Sequence, residues 1–160
     1  MEKKYKLTDE TIEVEGKALY RIEALKDFCE IKKGDKGGFI ESEDNLSHEG
    51  NAWVYDEACV YDNAFVTDDA LVYDNARVYN DARLYDNSRV YENACVYGAS
   101  CVYDNARVYG TARVYGTARV TDDACVCGNA RVYDNDWVYN HALGVWERSN
   151  KKNESWQSTN

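Results

Sequence analysis

The sequence predicts an all-β fold, a parallel β-helix of about five triangular coils preceded by a small N-terminal β-rich cap. Fifteen hexapeptides follow one another from Ala52 to His141 with the pattern Ala-x-Val-Tyr-[Asp/Gly]-[Asn/Asp/Thr]. A polar pair closes each hexapeptide, as a corner between two short strands requires. Proline is absent from the chain, so the backbone N–H groups are available for a ladder between coils.

The repeated unit separates inward from outward side chains. In a helix of 3.6 residues per turn, residues six apart do not stay on one face, and a plain strand repeats every two residues. A period of six therefore fits neither element alone. The first position is Ala except at Ser88, Ser100 and Asp136, and the third is Val except at Leu84. Val suits a strand, and Ala is small enough for a narrow triangular interior. We therefore expect these positions to face inward and the second position to face outward.

The first 39 residues lack the repeat and are expected to form the cap. Short strands are expected at 5–7, 12–14 and 18–22, a helical turn at 23–28 and a tight turn in the glycine-rich stretch 34–38.

The repeat phase extends backward from Ala52. Ile40 and Leu46 precede Ala52 by twelve and six residues, so we expect them at the first, inward position of earlier hexapeptides. The expected divisions are an N-terminal cap at 1–39, the β-helix at 40–141, and a C-terminal cap with a flexible tail at 142–160.

Both ends of a solenoid need a cover, since an open coil exposes core and unpaired backbone groups. Apolar side chains at the outward position cluster near the two ends: Trp53, Cys59, Phe65, Leu71 and Trp137. We expect the caps to bury them and Trp146 to fold over the last coil.

The net charge of −10 is unevenly distributed, with −4 in residues 1–51, −7 in 52–141 and +1 in 142–160. An acidic surface repels phosphates, which argues against direct binding of nucleic acid. The charge favours either simple solubility or an acidic face for a basic protein partner, such as a nucleic-acid-binding protein.

Other composition features predict a cytoplasmic location and no membrane partner. No apolar run approaches the roughly 18 residues of a membrane-spanning helix, and the N-terminus lacks the apolar segment of a signal peptide. The six cysteines form no CxxC pair and no cluster with histidine. We interpret them as reduced residues that fill repeat positions, and we predict no metal site.

Segments such as Ala106-Arg-Val-Tyr-Gly-Thr-Ala112-Arg-Val-Tyr-Gly-Thr resemble the hexapeptide-repeat proteins, which fold as left-handed parallel β-helices. More narrowly, the chain is similar to a Val-Tyr-Gly/Asp-Asn-Ala-Arg subgroup that occurs in bacteria and phages and is often labelled a transferase. The resemblance covers 52–141 densely and 40–51 weakly. It alone implies the left-handed sense of the coil. The chain departs from the acyltransferases of the family, which commonly have Gly where this repeat has Tyr.

Residues 18 apart should stack in outward columns that stabilise the wall or form a binding surface. One unbroken column would contain Tyr61, Tyr79, Tyr97, Tyr115 and Tyr133, beside the arginines Arg77, Arg113 and Arg131. A second would contain Tyr55, Tyr73, Tyr91 and Tyr109.

One corner should stack four aspartates, flanked by two more: Asp68, Asp86, Asp104 and Asp122, with Asp69 and Asp123. Aspartate is a common corner residue, so a solvated ridge is one interpretation. A row of weakly bound cations and an electrostatic dock that imitates a phosphate strand are the others.

The family resemblance implies an acyltransferase as the alternative function. Such an enzyme needs a general base, typically His, beside a groove for an acyl-CoA donor between subunits. The weak candidates are His141 and then His48, and no insertion interrupts the repeats to build an acceptor pocket.

We therefore favour a non-catalytic binding or scaffold protein without a cofactor. Regular walls favour extended contacts with a protein over a small ligand. An inhibitor of a host defence protein, encoded by a phage and acting in the host cytoplasm, is one form of this hypothesis. Exposed aromatic columns could also form the seam of a homodimer or homotrimer.

Overall fold

The computed structural model describes residues 2–139 and the strand Ala142–Leu143. It is an all-β parallel solenoid of about six stacked coils, which confirms the predicted fold class with one coil more than expected. The extra coil comes from Phe39, Ile40 and Leu46, which pair in parallel with the coil that follows them. Residues of the described part form no helix long and apolar enough to cross a membrane.

The N-terminal cap is an antiparallel hairpin that continues into the solenoid. Strand β1 (Tyr5–Val14) pairs with β2 (Lys17–Ala24), and β2 pairs with β3 (Lys36–Ile40). Because β3 also pairs in parallel with the next coil, the hairpin extends one wall of the prism. A short 3-10 helix, Glu43–Asn45, follows β3.

Three walls of short parallel strands form the prism. The first wall contains β3, β5 (Cys59–Val60), β8 (Arg77–Val78), β11 (Cys95–Val96), β14 (Arg113–Val114) and β17 (Arg131–Val132). The second contains β6 (Phe65–Val66), β9 (Arg83–Leu84), β12 (Cys101–Val102), β15 (Arg119–Thr121) and β18 (Trp137–Tyr139). The third contains β4 (Trp53–Val54), β7 (Leu71–Val72), β10 (Arg89–Val90), β13 (Arg107–Val108), β16 (Cys125–Val126) and β19 (Ala142–Leu143).

The interior contains the first and third positions of the repeat, as predicted. Val90 pairs with Val72 on one side and Val108 on the other, and all three side chains are fully buried. Ser88 and Ser100 replace Ala without leaving an unpaired hydroxyl, because each donates to the carbonyl oxygen three residues earlier, at 3.0 and 2.7 Å. The buried apolar side chains form one cluster that continues along the prism.

The predicted phase before Ala52 is wrong by two residues. Ile40 pairs with Val60 and Leu46 with Val66, so both occupy the Val position and not the Ala position. The corner at 47–51 contains two residues more than the later corners, and a spacing of six from Ala52 could not reveal this. Both side chains still face the core, where they are fully buried.

Two expectations for the cap also differ from the structure. Strand β2 extends to Ala24, and a bridge between Phe28 and Ile31 replaces the expected helical turn. The glycine-rich stretch is mostly strand, because β3 begins at Lys36. Gly38 allows β3 to approach the solenoid, since a Cβ there would lie 2.7 Å from the Ala58 oxygen.

Side chains of the cap satisfy carbonyl groups of the first coil. Lys4 Nζ donates to the Ala52 oxygen at 2.7 Å, and the Tyr5 hydroxyl donates to the Leu46 oxygen at 2.6 Å. Burial lowers the pKa of Lys4 to about 8. Trp53 and Cys59 are buried under the cap, as expected from their outward apolar positions. The same expectation is wrong for Phe65, Leu71 and Trp137, which stay partly exposed.

The C-terminal end lies only partly within the described residues. Strand β19 pairs with β16, so the third wall continues to Leu143, past the expected end at 141. Trp137 at the outward position of the last coil donates its indole N–H to Thr121 Oγ1 at 3.0 Å. The predicted cover by Trp146 falls outside the described residues.

Candidate protein-binding surfaces

Four aspartates occupy successive coils at the corner between the second and third walls. We call this column the aspartate edge: Asp68, Asp86, Asp104 and Asp122. All four have left-handed backbone conformations, with φ between 56° and 58°. Aspartate tolerates a left-handed backbone better than most residues, so the backbone conformation of the corner explains why a short polar residue occupies it.

A ladder of hydrogen bonds connects these aspartates. Asp68 Oδ2 accepts the backbone N–H of Asp86 at 3.0 Å, and Asp86 Oδ2 accepts that of Asp104 at 3.1 Å. Asp104 Oδ2 accepts the N–H of Asp122 at 3.1 Å. A hydrogen bond to a charged acceptor contributes roughly 1.5–3 kcal/mol, which offsets part of the repulsion between stacked carboxylates.

The two other corners make the same hydrogen bonds with mixed residues. At one of them Glu92 Oε1 accepts the N–H of Gly110 at 2.9 Å, and at the other Asn80 Oδ1 accepts that of Gly98 at 3.1 Å. Asp, Asn, Glu and Gly are therefore all compatible with the corner geometry. Geometry alone does not require four consecutive aspartates.

The aspartate edge and its flanking residues Asp69 and Asp123 line a shallow open trough. Within residues 2–139, no Lys or Arg nitrogen lies within ion-pairing distance of these carboxylates. Burial is the main cause that raises the pKa of Asp122, and the neighbouring Asp104 raises it further. The described residues also contain no group of three or more acidic, His or Cys side chains arranged to hold a metal ion.

The predicted tyrosine column stands on the first wall. Consecutive rings stack almost parallel, with centroids 4.9 Å apart between Tyr79 and Tyr97, 5.0 Å between Tyr97 and Tyr115, and 5.2 Å between Tyr115 and Tyr133. Burial in the stack raises the pKa of Tyr79 to about 12.

Tyr61, at the end of this column, is not part of an exposed surface. It is fully buried under the cap, where it packs in one cluster with Leu19 and Phe39. Its hydroxyl donates to Glu15 Oε2 at 3.3 Å. Tyr61 is therefore not a candidate binding residue, because the cap hairpin covers it.

The three predicted arginines lie beside the tyrosine column at exposed positions. Arg77, Arg113 and Arg131 occupy β8, β14 and β17 of the first wall. A hydrogen bond with the Tyr97 hydroxyl is the main cause that raises the pKa of Arg113. The structure thus brings the predicted Tyr and Arg residues together on one wall and the predicted Asp residues together on the opposite edge.

Sequence reasoning missed a groove between the cap and the third wall. Residues 29–31 of the cap face Tyr55, Leu71, Tyr73 and Arg89 across it. Tyr55 meets Tyr73 edge to face at 6.2 Å and 83°, whereas Tyr73 and Tyr91 stack at 4.7 Å. The hexapeptide pattern contains no signal for this groove, because the cap residues that form one side lie outside the repeat.

His48, a weak candidate for a general base, has a structural role in the cap. Its Nδ1 accepts the backbone N–H of Lys4 at 3.0 Å, so Nε2 carries the proton and donates to Glu43 Oε1 at 2.7 Å. The ring stacks on Tyr5 at 4.1 Å. The hydrogen bond from His48 lowers the pKa of Glu43. The other candidate, His141, lies outside the described residues.

One comparison with known families agrees with this architecture. Residues 70–86 match the family model described as the YdcK Beta solenoid repeat, and they cover β7, β8 and β9 with the corners between them. The chain is a β-solenoid repeat protein. No curated protein matches it. The match covers about one coil of this β-solenoid, and its description gives a structural repeat without an activity.

Proposed function

We propose that this β-solenoid is a non-catalytic binding protein that docks its aspartate edge into a basic groove of a protein partner. The observation that carries the proposal is the unbroken run of aspartates at one corner. The other two corners begin with acidic residues and make the same hydrogen bonds, but they do not stay acidic. One changes to Gly110 after Glu92, and the other changes to Asn80 and then to Gly98. Stacked like charges destabilise a fold, so a run that geometry does not require is best explained by a contact with positive charge.

The charge spacing supports a partner that normally binds nucleic acid. Six carboxylates occupy four coils, which take up about 19 Å at about 4.8 Å per coil, or one charge per roughly 3.2 Å. A single strand of duplex DNA carries one phosphate per about 3.4 Å of helix axis. The edge is thus at least as highly charged along its length as one DNA strand. A phage-encoded inhibitor of a host nucleic-acid-binding protein would be one protein of this kind.

The ladder also favours binding because it fixes the carboxylates before contact. Each Oδ2 from Asp68 to Asp104 is held by the backbone of the next coil. Rigid groups lose little conformational freedom on association, so more of the interaction energy remains as affinity. Association through such a surface should be fast and strongly weakened by salt.

Binding of fluorescent protamine, an arginine-rich protein, tests the role of the edge. The test variant is Asp86→Asn with Asp104→Asn, since Asn keeps the turn and an acceptor oxygen and removes the charge. The matched control is Asp56→Asn with Asp74→Asn, which makes the same change at another corner, where Asp56 Oδ2 accepts the N–H of Asp74 at 3.1 Å.

We expect the edge variant to bind protamine about tenfold more weakly than the control variant in about 0.15 M salt. Duplex DNA should compete with the wild-type protein for the probe, because both present a row of anions. Equal affinities of the two variants, or binding that does not weaken with salt, would show that the edge is not the docking surface.

A further inference from the structure

We infer that the first wall is a docking site for the aspartate edge of a second copy of this chain, so that copies associate head to tail. This inference shares the aspartate edge with the proposed function and adds the Tyr and Arg surface, which the proposed function does not use. Three observations favour a second copy as the occupant: the opposite charges of the two surfaces, their positions on opposite sides of the prism, and their common repeat distance.

The two surfaces lie on opposite sides of one molecule. The aspartate edge is the corner between the second and third walls, and in a triangular cross-section that corner is opposite the first wall. Within one chain they cannot meet. A two-fold dimer through this wall would place the arginines of both copies in one interface, so like charges disfavour it. A heterologous contact, edge to wall, brings opposite charges together.

The C-terminal half of the first wall presents two positive charges on adjacent coils of an acidic protein. Its exposed charges are Arg113 and Arg131, and the described strands of this wall carry Phe, Cys or Arg at the second position and Tyr after the inward Val. Four glycines line the adjacent corners: Gly98, Gly110, Gly116 and Gly128. Because glycine has no side chain, these corners leave the two guanidinium groups accessible to a partner's carboxylates.

The edge and the wall share one repeat distance. Stacked tyrosines on the wall are 4.9–5.2 Å apart, and the edge presents one ladder aspartate per coil. Arg113 and Arg131 are on adjacent coils, as are Asp86 and Asp104. Both Arg–carboxylate pairs can therefore form together, and tyrosine hydroxyls between them can donate to remaining carboxylate oxygens.

The net charge of −10 opposes self-association, so the strength of association depends on the salt concentration. At about 0.15 M salt the Debye length is about 8 Å, which screens repulsion between distant parts of two copies more than it screens pairs in contact. Association is therefore expected near this concentration and should be lost in about 1 M salt.

Sedimentation velocity over a series of protein concentrations tests the inference. The wall variant is Arg113→Glu with Arg131→Glu, and the edge variant is Asp86→Asn with Asp104→Asn. The matched control is Arg83→Glu with Arg119→Glu, which makes the same charge change at the same strand position of the second wall. We expect wild type and control to associate alike, and each test variant to associate at least tenfold more weakly.

Mixing the two test variants gives the sharpest result. The wall variant keeps an intact edge and the edge variant keeps an intact wall, so an equimolar mixture should form a one-to-one dimer and nothing larger. Monomeric wild-type protein at millimolar concentration, a wall variant that associates like wild type, or a mixture that stays monomeric would each overturn the inference. Protamine binding by the wall variant separates the two proposals, because it depends on the edge alone.

Discussion

The Oδ2 atom of Asp68 accepts the backbone N–H of Asp86, one coil further along the chain, at 3.0 Å. The same carboxylate is thus a corner residue of its own coil and a hydrogen-bond acceptor for the next. Each such bond connects residues 18 apart in sequence outside the strands, next to backbone bonds such as the one from the Asp69 N–H to the Asp86 oxygen at 2.9 Å. The corners are therefore part of the hydrogen-bonded structure and not merely the turns between strands.

Replacement of Asp86 separates the roles of its backbone, its hydrogen bond and its charge. Ala at a φ of 57° costs about 1–2 kcal/mol, and the lost acceptor adds about 1 kcal/mol. We expect Asp86→Ala to lower the free energy of unfolding by about 2–3 kcal/mol in urea denaturation followed by circular dichroism. Asp86→Asn should stay within about 0.5 kcal/mol of wild type, since Asn tolerates this conformation. Equal losses for Ala and Asn would contradict the assigned roles.

The narrow interior predicts a size limit at the Ala position. Ala106 is fully buried, so Ala106→Leu should overpack the coil and cost about 1–3 kcal/mol. Ala106→Ser is the natural control, because Ser88 and Ser100 occupy equivalent positions with satisfied hydroxyls. Thermal unfolding of both variants measures the difference. A Leu variant as stable as the Ser variant would mean that the interior has unused space.

The approach of β3 to the solenoid predicts that Gly38→Ala loosens the cap. The added Cβ would lie 2.7 Å from the Ala58 oxygen and 2.7 Å from Val54 Cγ1, so β3 must move away. We expect faster hydrogen exchange in β1 and β2 and little change beyond the second coil. Gly16→Asn is the control, because it adds a side chain in open space at the hairpin turn and Asn tolerates the φ of 79° there. Unchanged exchange in the Gly38 variant would show that the cap does not need this contact.

The stacked tyrosines predict a loss of stability at alkaline pH. Burial raises the pKa of Tyr79 to about 12, above the value of about 10 for an unfolded chain. A group with a raised folded pKa contributes stability that is complete below pH of about 10 and is lost as the pH rises toward 12. Ultraviolet titration of tyrosinate should show delayed ionisation, and Tyr79→Phe should reduce the loss of stability over this range. Ionisation of all tyrosines near their ordinary pKa would contradict the stacking.

The repeat predicted the features that depend on spacing alone. A period of six with a coil of 18 places Val72, Val90 and Val108 on one wall and collects the aspartates at one corner. It could not predict the bond from Asp68 to Asp86, which depends on the left-handed backbone and on where the side chain then points. The sequence signal for this ladder was that every corner position holds Asp, Asn, Glu or Gly, the residues that suit a left-handed backbone or supply an acceptor oxygen.

The features that the sequence did not predict depend on tertiary packing of non-repeated residues. Tyr61 occupies the same repeat position as Tyr79, and only the place where the cap hairpin folds makes it buried. The two extra residues at 47–51 likewise leave no mark in the pattern, since Leu46 faces the core in either phase. His48 was a candidate base from its residue type, but its partners Lys4 and Glu43 are set by the fold of the cap.

The three corners of this prism carry different residues, so the natural unit of gene duplication is the whole 18-residue turn and not the hexapeptide. Copying one hexapeptide would preserve every strand and yet move all later aspartates to a neighbouring corner, which would split the charged row in two. Copying three would lengthen the row by one carboxylate and keep it straight. Replication slippage in such a gene could therefore change the reach of the protein in steps of about 4.8 Å without altering its cross-section.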